Sequence, residues 1–385
     1  MVQLEVDHST LEMLLERAIE TKIPLFIWGD TGIGKSETVY RIAKKKAGEL
    51  GREFVVWNKL STEEKYKVAE NPSKYYFLMD NRLSQVDPSD LRGLPNLNQK
   101  QFVEWKIPFW LYVASRPKSA GIIFFDEINL APHSIQASAY QLILDRELGE
   151  TAISDNVSLV AAGNRIEDKA NVYELPRPLK TRFTHVTLSK PTISAECRND
   201  WGEWALKNNV DMRIITFLIQ RPSLLSPKVS ETDASNAIPT PRGWAKFLSP
   251  MIKGVKDLTT LEKLASIAVG SGAALEFVSY LKLQKKINLD EILKNPSKAS
   301  DVKEVDMMYA LVSLVAEWYG NKPSIDKLDK TFQIAKYLKA EFATLLLHSV
   351  KMKAPNLFMS KDVLTKLKSW KDVADRIRKY YISRE

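Results

Sequence analysis

The octapeptide Gly29–Ser36 reads GDTGIGKS and constrains this chain more than any other feature, because it satisfies G-x-x-x-x-G-K-[ST] between an apolar run and a helical one. The run before it, LFIW at 25–28, reads as a buried strand with Pro24 at its edge. The run after it, KSETVYRIAKKKAGEL, reads as a helix that stops near Gly48 or Gly51. Glycines let successive N–H groups turn toward an anion without Cβ clashes, and the helix start adds the positive end of its dipole. Gly29, Asp30, Thr31, Gly32, Ile33, Gly34, Lys35, Ser36 and Glu37 therefore form a candidate ATP-binding loop. Lys35 is expected to reach the β and γ phosphates, and the Ser36 hydroxyl to ligate Mg2+. A glycine-rich turn with a chance lysine is the rival reading.

Strand candidates recur downstream with helical segments between them. EFVVWN at 53–58 and YYFLMDNRL at 75–83 are separated by the polar helical stretch STEEKYKVAE, and the residues do not say which is the sheet's second main strand. GIIFFDE at 121–127 is an apolar run ending in two acids, as suits a buried parallel strand that delivers side chains to a site. SLVAAGN at 158–164 and THVTL at 184–188 follow, with a helix expected over 133–147. Strands alternating with helices predict an α/β fold, a parallel sheet covered on both faces.

Near Pro191 the pattern becomes helical, with expected helices at 193–207, 211–219, 241–252, 259–285, 304–319, 325–349 and 361–382. The expected domains are a nucleotide-binding α/β domain over 1–190, a helical lid over 191–288 and a helical C-terminal extension over 289–385.

Asp126 and Glu127 supply the carboxylates a phosphate site needs. Asp126 is expected to hold magnesium directly or through water, and Glu127 to orient or polarise the attacking water. Asn164 ends the next strand candidate, where its amide would fix that water against the γ phosphate; asparagine is also common in turns.

Bulk properties narrow the alternatives. A chain of 385 residues with 44% hydrophobic composition can fill a large core. No apolar run approaches the roughly 18 residues needed to cross a bilayer, and no leader pattern opens the chain, so a soluble, cytoplasmic protein without membrane insertion is expected. One cysteine, Cys197, and four scattered histidines, His8, His133, His185 and His348, do not indicate a structural zinc site. The net charge of +9, from 56 basic and 47 acidic residues, favours a nucleic-acid partner only slightly.

The ordered set GDTGIGKS, IIFFDEINLAP, AAGNR and LPRPLKTRF resembles the AAA+ ATPases, and within them the MoxR-like branch that is also similar to dynein-type modules. The resemblance covers about residues 5 to 250. It implies a P-loop NTPase with a five-stranded parallel AAA+ sheet and an all-helical lid. It implies that Asn164 is the first sensor and that Arg182 projects into the ATP site of the adjacent subunit; Arg177 and Lys180 are nearby alternatives. PTPRGW at 239–244 resembles the start of the second-sensor helix, making Arg242 a contact to the β or γ phosphate. The stretch 82–95 resembles the region before an inserted helical element, which places Trp105, Phe109 and Trp110 either at a pore or in the core. LDRELGETAISDN at 144–156 resembles a hairpin before the first sensor, with Arg146, Glu147 and Glu150 as pore-facing candidates.

A trans arginine implies an assembly, and the resemblance implies a homohexamer that uses ATP and Mg2+ to remodel a protein client, with a von Willebrand A domain partner. A nucleic-acid motor or loader is the rival within the same chemistry, since residues 361–385 carry eight Lys or Arg against four Asp or Glu with Trp370, Tyr380 and Tyr381 interleaved. Leu364, Leu367, Val373 and Ile377 in that segment also fit one face of an amphipathic helix. A noncatalytic structural or regulatory ring subunit is the rival of another class.

Overall fold

A computed structural model describes residues 4–85, 87–96, 98, 104–165, 173–227, 237–359, 367 and 369–375. The chain divides into two units, residues 1–190 and 191–385.

The first unit is built on a parallel sheet whose strands are β1 (Glu5–Val6), β2 (Leu25–Trp28), β3 (Glu53–Val56), β4 (Tyr75–Arg82), β7 (Ala120–Asp126), β10 (Asn156–Gly163) and β11 (Thr184–Leu188). Two short antiparallel hairpins, β5 (Leu94–Asn96) with β6 (Glu104–Lys106) and β8 (Glu147–Leu148) with β9 (Thr151–Ala152), complete the numbering. The sheet runs β1-β11-β2-β10-β7-β4-β3. Both faces are buried, as the alternation of side chains shows. Phe26, Phe77, Ile123, Phe125, Leu159 and Ala161 enter one apolar layer, while Leu25, Ile27, Leu78, Ile122, Phe124, Val160 and Ala162 enter the other.

Helices α1 (His8–Thr21) and α2 (Lys35–Glu49) cover the second layer through Leu11, Leu15 and Ala18 and through Val39, Ile42 and Ala43. The α1 helix starts where Asp7 accepts a hydrogen bond from the Thr10 N–H at 2.7 Å, and it stops at Lys22 in the left-handed region. The α3 helix (Thr62–Glu70) starts with a reciprocal Ser61–Glu64 capping box. The α2 helix differs, because its N-cap is Gly34 and no side chain caps it. Its N-cap thus supplies no side-chain acceptor, as at helix starts that bind anions.

Between β4 and β7 lie α4 (Pro88–Arg92) and α5 (Phe109–Ser115); α6 (His133–Asp145) follows β7, and α7 (Arg177–Lys180) precedes β11. Leu111 and Val113 of α5, with Ile135, Ala139, Leu142 and Ile143 of α6, close the first apolar layer.

The second unit is helical. It contains α8 (Trp201–Lys207), α9 (Met212–Gln220), a π-helical turn over Gly243–Leu248, α10 (Ser249–Met251), α11 (Leu258–Val269), α12 (Ser271–Gln284), α13 (Leu289–Lys294), α14 (Val305–Gly320), α15 (Ile325–Ala335), α16 (Ala340–Lys353) and α17 (Pro355–Met359). Trp244 is fully buried beside Phe217 and Phe277, with ring centroids 5.7 and 6.0 Å away, and its indole N–H donates to the Leu224 carbonyl at 2.8 Å.

Several expectations need correction. Among the described residues the sheet has seven strands, not five, because both candidates at 53–58 and 75–83 join it and the two-residue β1 pairs with β11. The helix expected over 259–285 is two, broken at Gly270 (φ 85), and that expected over 325–349 is α15 and α16, broken over residues 336–339. The helix expected over 193–207 forms only from Trp201, where Asp200 caps it. The segment 361–382 lies outside the described residues except for Leu367 and residues 369–375.

Candidate functional site

Three neighbouring strands, β2, β10 and β7, end side by side at their C-terminal edges. Gly163 pairs with Trp28 on one side of β10, and Ala161 pairs with Phe125 on the other. The turn after β2 is the glycine-rich loop, the residue after β10 is Asn164, and β7 ends in Asp126.

Lys35 is only 8% exposed, and a buried ammonium needs acceptors. Its Nζ donates to the Gly29 carbonyl at 2.6 Å, the Asp30 carbonyl at 2.8 Å and Asn164 Oδ1 at 3.0 Å. Ser36 Oγ donates to Asp126 Oδ2 at 2.7 Å, and the Glu127 N–H donates to Asp126 Oδ1 at 3.0 Å. Lys35, Ser36, Asp126 and Asn164 are therefore brought together. Glu127 adjoins them at a left-handed backbone position (φ 54) that turns the chain out of the strand.

The loop is held from outside. The Asp30 carboxylate accepts from the Thr31 N–H at 2.7 Å and pairs with Lys190 at 3.1 Å. His8, the first residue of α1, donates its Nε2–H to the Ile33 carbonyl at 2.9 Å. A trans peptide points its C=O and the following N–H in opposite directions, so this contact turns the Gly34 N–H away from His8. A Cβ on Gly34 would lie 3.0 Å from the imidazole, and its φ of +106 also demands glycine. Burial pushes the His8 imidazole below its ordinary pKa, with the Arg41 charge adding to the effect. Glu37 sits in the first turn of α2.

Three residues that sequence reasoning passed over belong to this region. Asp80, near the end of β4, has its pKa raised by burial and by the neighbouring Asp126 and Glu127 charges. Its Oδ1 is buried without a hydrogen-bond partner among the described residues, although Arg82 lies 3.7 Å from the other oxygen. Asn129, 2% exposed, holds the backbone of Asn164 through its side-chain amide. His185 accepts at Nδ1 from Trp28 Nε1–H at 3.0 Å and bonds the Lys180 carbonyl through Nε2 at 2.6 Å, joining the strand before the loop to the segment that carries Arg182.

Arg182 is exposed just beyond α7, and so is Arg177 at its start, while Lys180 is engaged by Glu174 at 2.7 Å. Arg242 is exposed at the start of the helical turn that buries Trp244. Trp105 is 49% exposed on the β5–β6 hairpin. Phe109 instead packs on Trp57 and Tyr66, and Trp110 is partly buried with its indole N–H donating to the Asp90 carbonyl. Arg146 is half-buried, and its guanidinium donates to the Ser154 and Val157 carbonyls at 3.0 and 2.7 Å, bracing the β8–β9 hairpin on which Glu147 and Glu150 are exposed.

A magnesium ion needs hard oxygen donors and keeps several waters rather than an all-protein cage. Ser36 Oγ, Asp126 and the unpartnered Asp80 Oδ1 fit that donor set, and no group of three or more His, Cys, Asp or Glu that could hold a metal occurs among the described residues.

A parallel α/β sheet carrying a glycine loop that leads into a helix start, with a lysine turned back onto the loop, defines a P-loop-like fold. No protein-family model matches this chain, and no curated protein does. Among solved structures, it is similar to NtrX from Brucella abortus (11% identity, 97% of this chain and 69% of that one, TM-score 0.33). A mutant of RuvB from Thermotoga maritima shares 16% identity over 74% of each chain at a TM-score of 0.29. A candidate ATPase from Cytophaga hutchinsonii shares 20% identity over 47% of this chain at a TM-score of 0.29, and this chain spans 46% of its length. Among the described residues, no helix is long and apolar enough to cross a membrane.

Proposed function

We propose that this chain is an ATPase of the AAA+ class, of the MoxR-like type, that binds ATP with magnesium and hydrolyses it to drive the remodelling or assembly of a protein client. The observation that carries the reading is the pair of cross-strand contacts Lys35–Asn164 and Ser36–Asp126, which gather a cation, a hydroxyl, a carboxylate and an amide at the uncapped start of α2.

The loop N–H groups and Lys35 receive the β and γ phosphates. Lys35 exchanges backbone carbonyls for phosphate oxygens, which costs little reorganisation because the amine already sits at the loop. Ser36 and Asp126 would hold Mg2+, which supplies charge neutralisation at the phosphate oxygens. Glu127 accepts the proton of the attacking water, and the Asn164 amide orients that water against the γ phosphate.

The sequence resemblance extends this reading. Arg182, exposed beyond α7, completes the ATP site of a neighbouring copy, so the working form is a closed ring, a homohexamer. Arg242 reaches the β or γ phosphate from a lid spanning 191–288, residues 289–385 form an extension, and a von Willebrand A domain protein is the partner.

The test is Glu127→Gln, which keeps shape but removes the base. Phosphate release should fall by about 10² to 10⁴-fold, with Mg-ATP affinity within a few-fold of wild type. Unchanged turnover in this variant would refute the assignment.

A further inference from the structure

We infer that Asn129 is a positioning residue for hydrolysis: it clamps the backbone of Asn164 and sets the separation between the Asn164 amide and the Glu127 carboxylate. The inference rests on the ATPase reading above.

The geometry begins where the sheet stops. Pairing between β7 and β10 ends at Phe125 and Ala161, yet β10 continues to Gly163, which still pairs with Trp28 of β2. Beyond Asp126 the chain turns away through Glu127, leaving the β7 side of Gly163 and Asn164 without a strand. The Asn129 carboxamide fills that place as a peptide would. Its Nδ2–H donates to the Asn164 carbonyl at 2.7 Å, and its Oδ1 accepts from the Asn164 N–H at 3.2 Å. On the β2 side the Gly29 N–H donates to the Gly163 carbonyl at 3.2 Å. The end of β10 is therefore held from both flanks.

The neighbouring side chains agree with this reading. A Cβ on Gly163 would stand 2.6 Å from Asn129 Oδ1, so the close approach of the amide requires glycine there. Asn129 is 2% exposed, and its own carbonyl accepts from the Tyr173 N–H at 2.8 Å. It lies in the short helical turn Ile128–Leu130 that Glu127 caps, with the Leu130 N–H bonded to the Glu127 carbonyl at 2.9 Å. One rigid turn thus carries Glu127 at its start and grips Asn164 at its middle. Both groups that must face the same water are fixed to each other through Asn129, while Lys35 holds Asn164 Oδ1 from the other side.

The test uses the full chain. Asn129→Asp keeps the shape but replaces the donor facing the Asn164 carbonyl with an acceptor, and Asn129→Ser shortens the clamp without adding charge. Each should lower kcat by about 10- to 100-fold, the effect of leaving one buried backbone group unsatisfied, with KM for Mg-ATP within about threefold. In an Asn164→Ala background, Asn129→Ser should lower kcat by less than about threefold more, because the two act as one unit. Without nucleotide, hydrogen exchange of the Asn164 amide should accelerate at least about tenfold in Asn129→Ser while that of Ala161 stays protected. Wild-type kcat in both variants, or full additivity with Asn164→Ala, overturns the clamp alone. Loss of folding in both variants overturns it too, since the side chain would then be structural. A wild-type chain that turns over no ATP instead refutes the preceding ATPase reading and, with it, the catalytic part of this one.

Discussion

Gly163→Ala is the smallest change that should damage this site, and its cost follows from two distances. The added Cβ would lie 2.6 Å from Asn129 Oδ1 and 2.9 Å from Phe26 Cζ. Neither atom can move cheaply. Phe26 is fully buried between Trp28, 4.2 Å away by ring centroids, and Phe183 at 5.4 Å, and Asn129 Oδ1 is bonded to the Asn164 N–H. Overpacking of this kind costs about 1–3 kcal/mol, which in a unit of this size lowers Tm by roughly 2 to 12 °C. Gly48→Ala serves as the control. It makes the same chemical change inside α2 where nothing lies within 4 Å, and it should leave stability unchanged or raise it by about 0.4–1 kcal/mol. Thermal melts of the two variants, with ATP turnover measured alongside, decide the matter. A Gly163→Ala protein that melts with the wild type would refute the packing argument at the end of β10.

Two further outcomes follow from the same geometry. Burial lowers the His8 pKa, so the unfolded chain takes up a proton that the folded imidazole refuses, and His8 costs stability as pH falls from about 6.5 toward its lower folded value. His8→Gln keeps a donor for the Ile33 carbonyl without titrating, and urea titrations between pH 5 and 7.5 should show a shallower acid loss; the half-buried His348 retains its own share. Identical slopes would contradict this. If Arg182 acts in trans, Arg182→Ala and Lys35→Ala chains, each inactive alone, should recover ATP turnover when mixed, since the first has intact sites and the second an intact arginine. No recovery in mixed assemblies would sink the trans role.

What could be read from residues alone was what lies close together in the chain. The loop at 29–36 declared itself because strand, glycines, lysine and helix are contiguous, and Asp126 and Asn164 because each ends an apolar run. The structure brings these to one edge of the sheet. The two-residue β1 carried no periodicity to find, and its place depends on pairing with β11, about 180 residues away. Helix breaks failed for a different reason. The apolar pattern runs through Gly270 and through 336–339, and the second break, KYLK, holds no glycine or proline to mark it. Asn129 and His8 had partners 35 and 25 residues distant, and only the polar residue within the apolar string INLA hinted at the first. The contacts of Arg146 were equally hidden in the sequence, since its guanidinium donates to carbonyls 8 and 11 residues onward, at Ser154 and Val157.

The most direct measurement is calorimetric titration of the purified chain with ATP, with and without magnesium, beside Lys35→Ala. The geometry predicts binding that depends on magnesium and weakens at least about tenfold when the Lys35 charge is removed, as loss of a charge-assisted hydrogen bond requires. Absence of magnesium-dependent affinity in the wild type, or equal affinity in Lys35→Ala, would contradict the claim that this loop grips a nucleoside triphosphate.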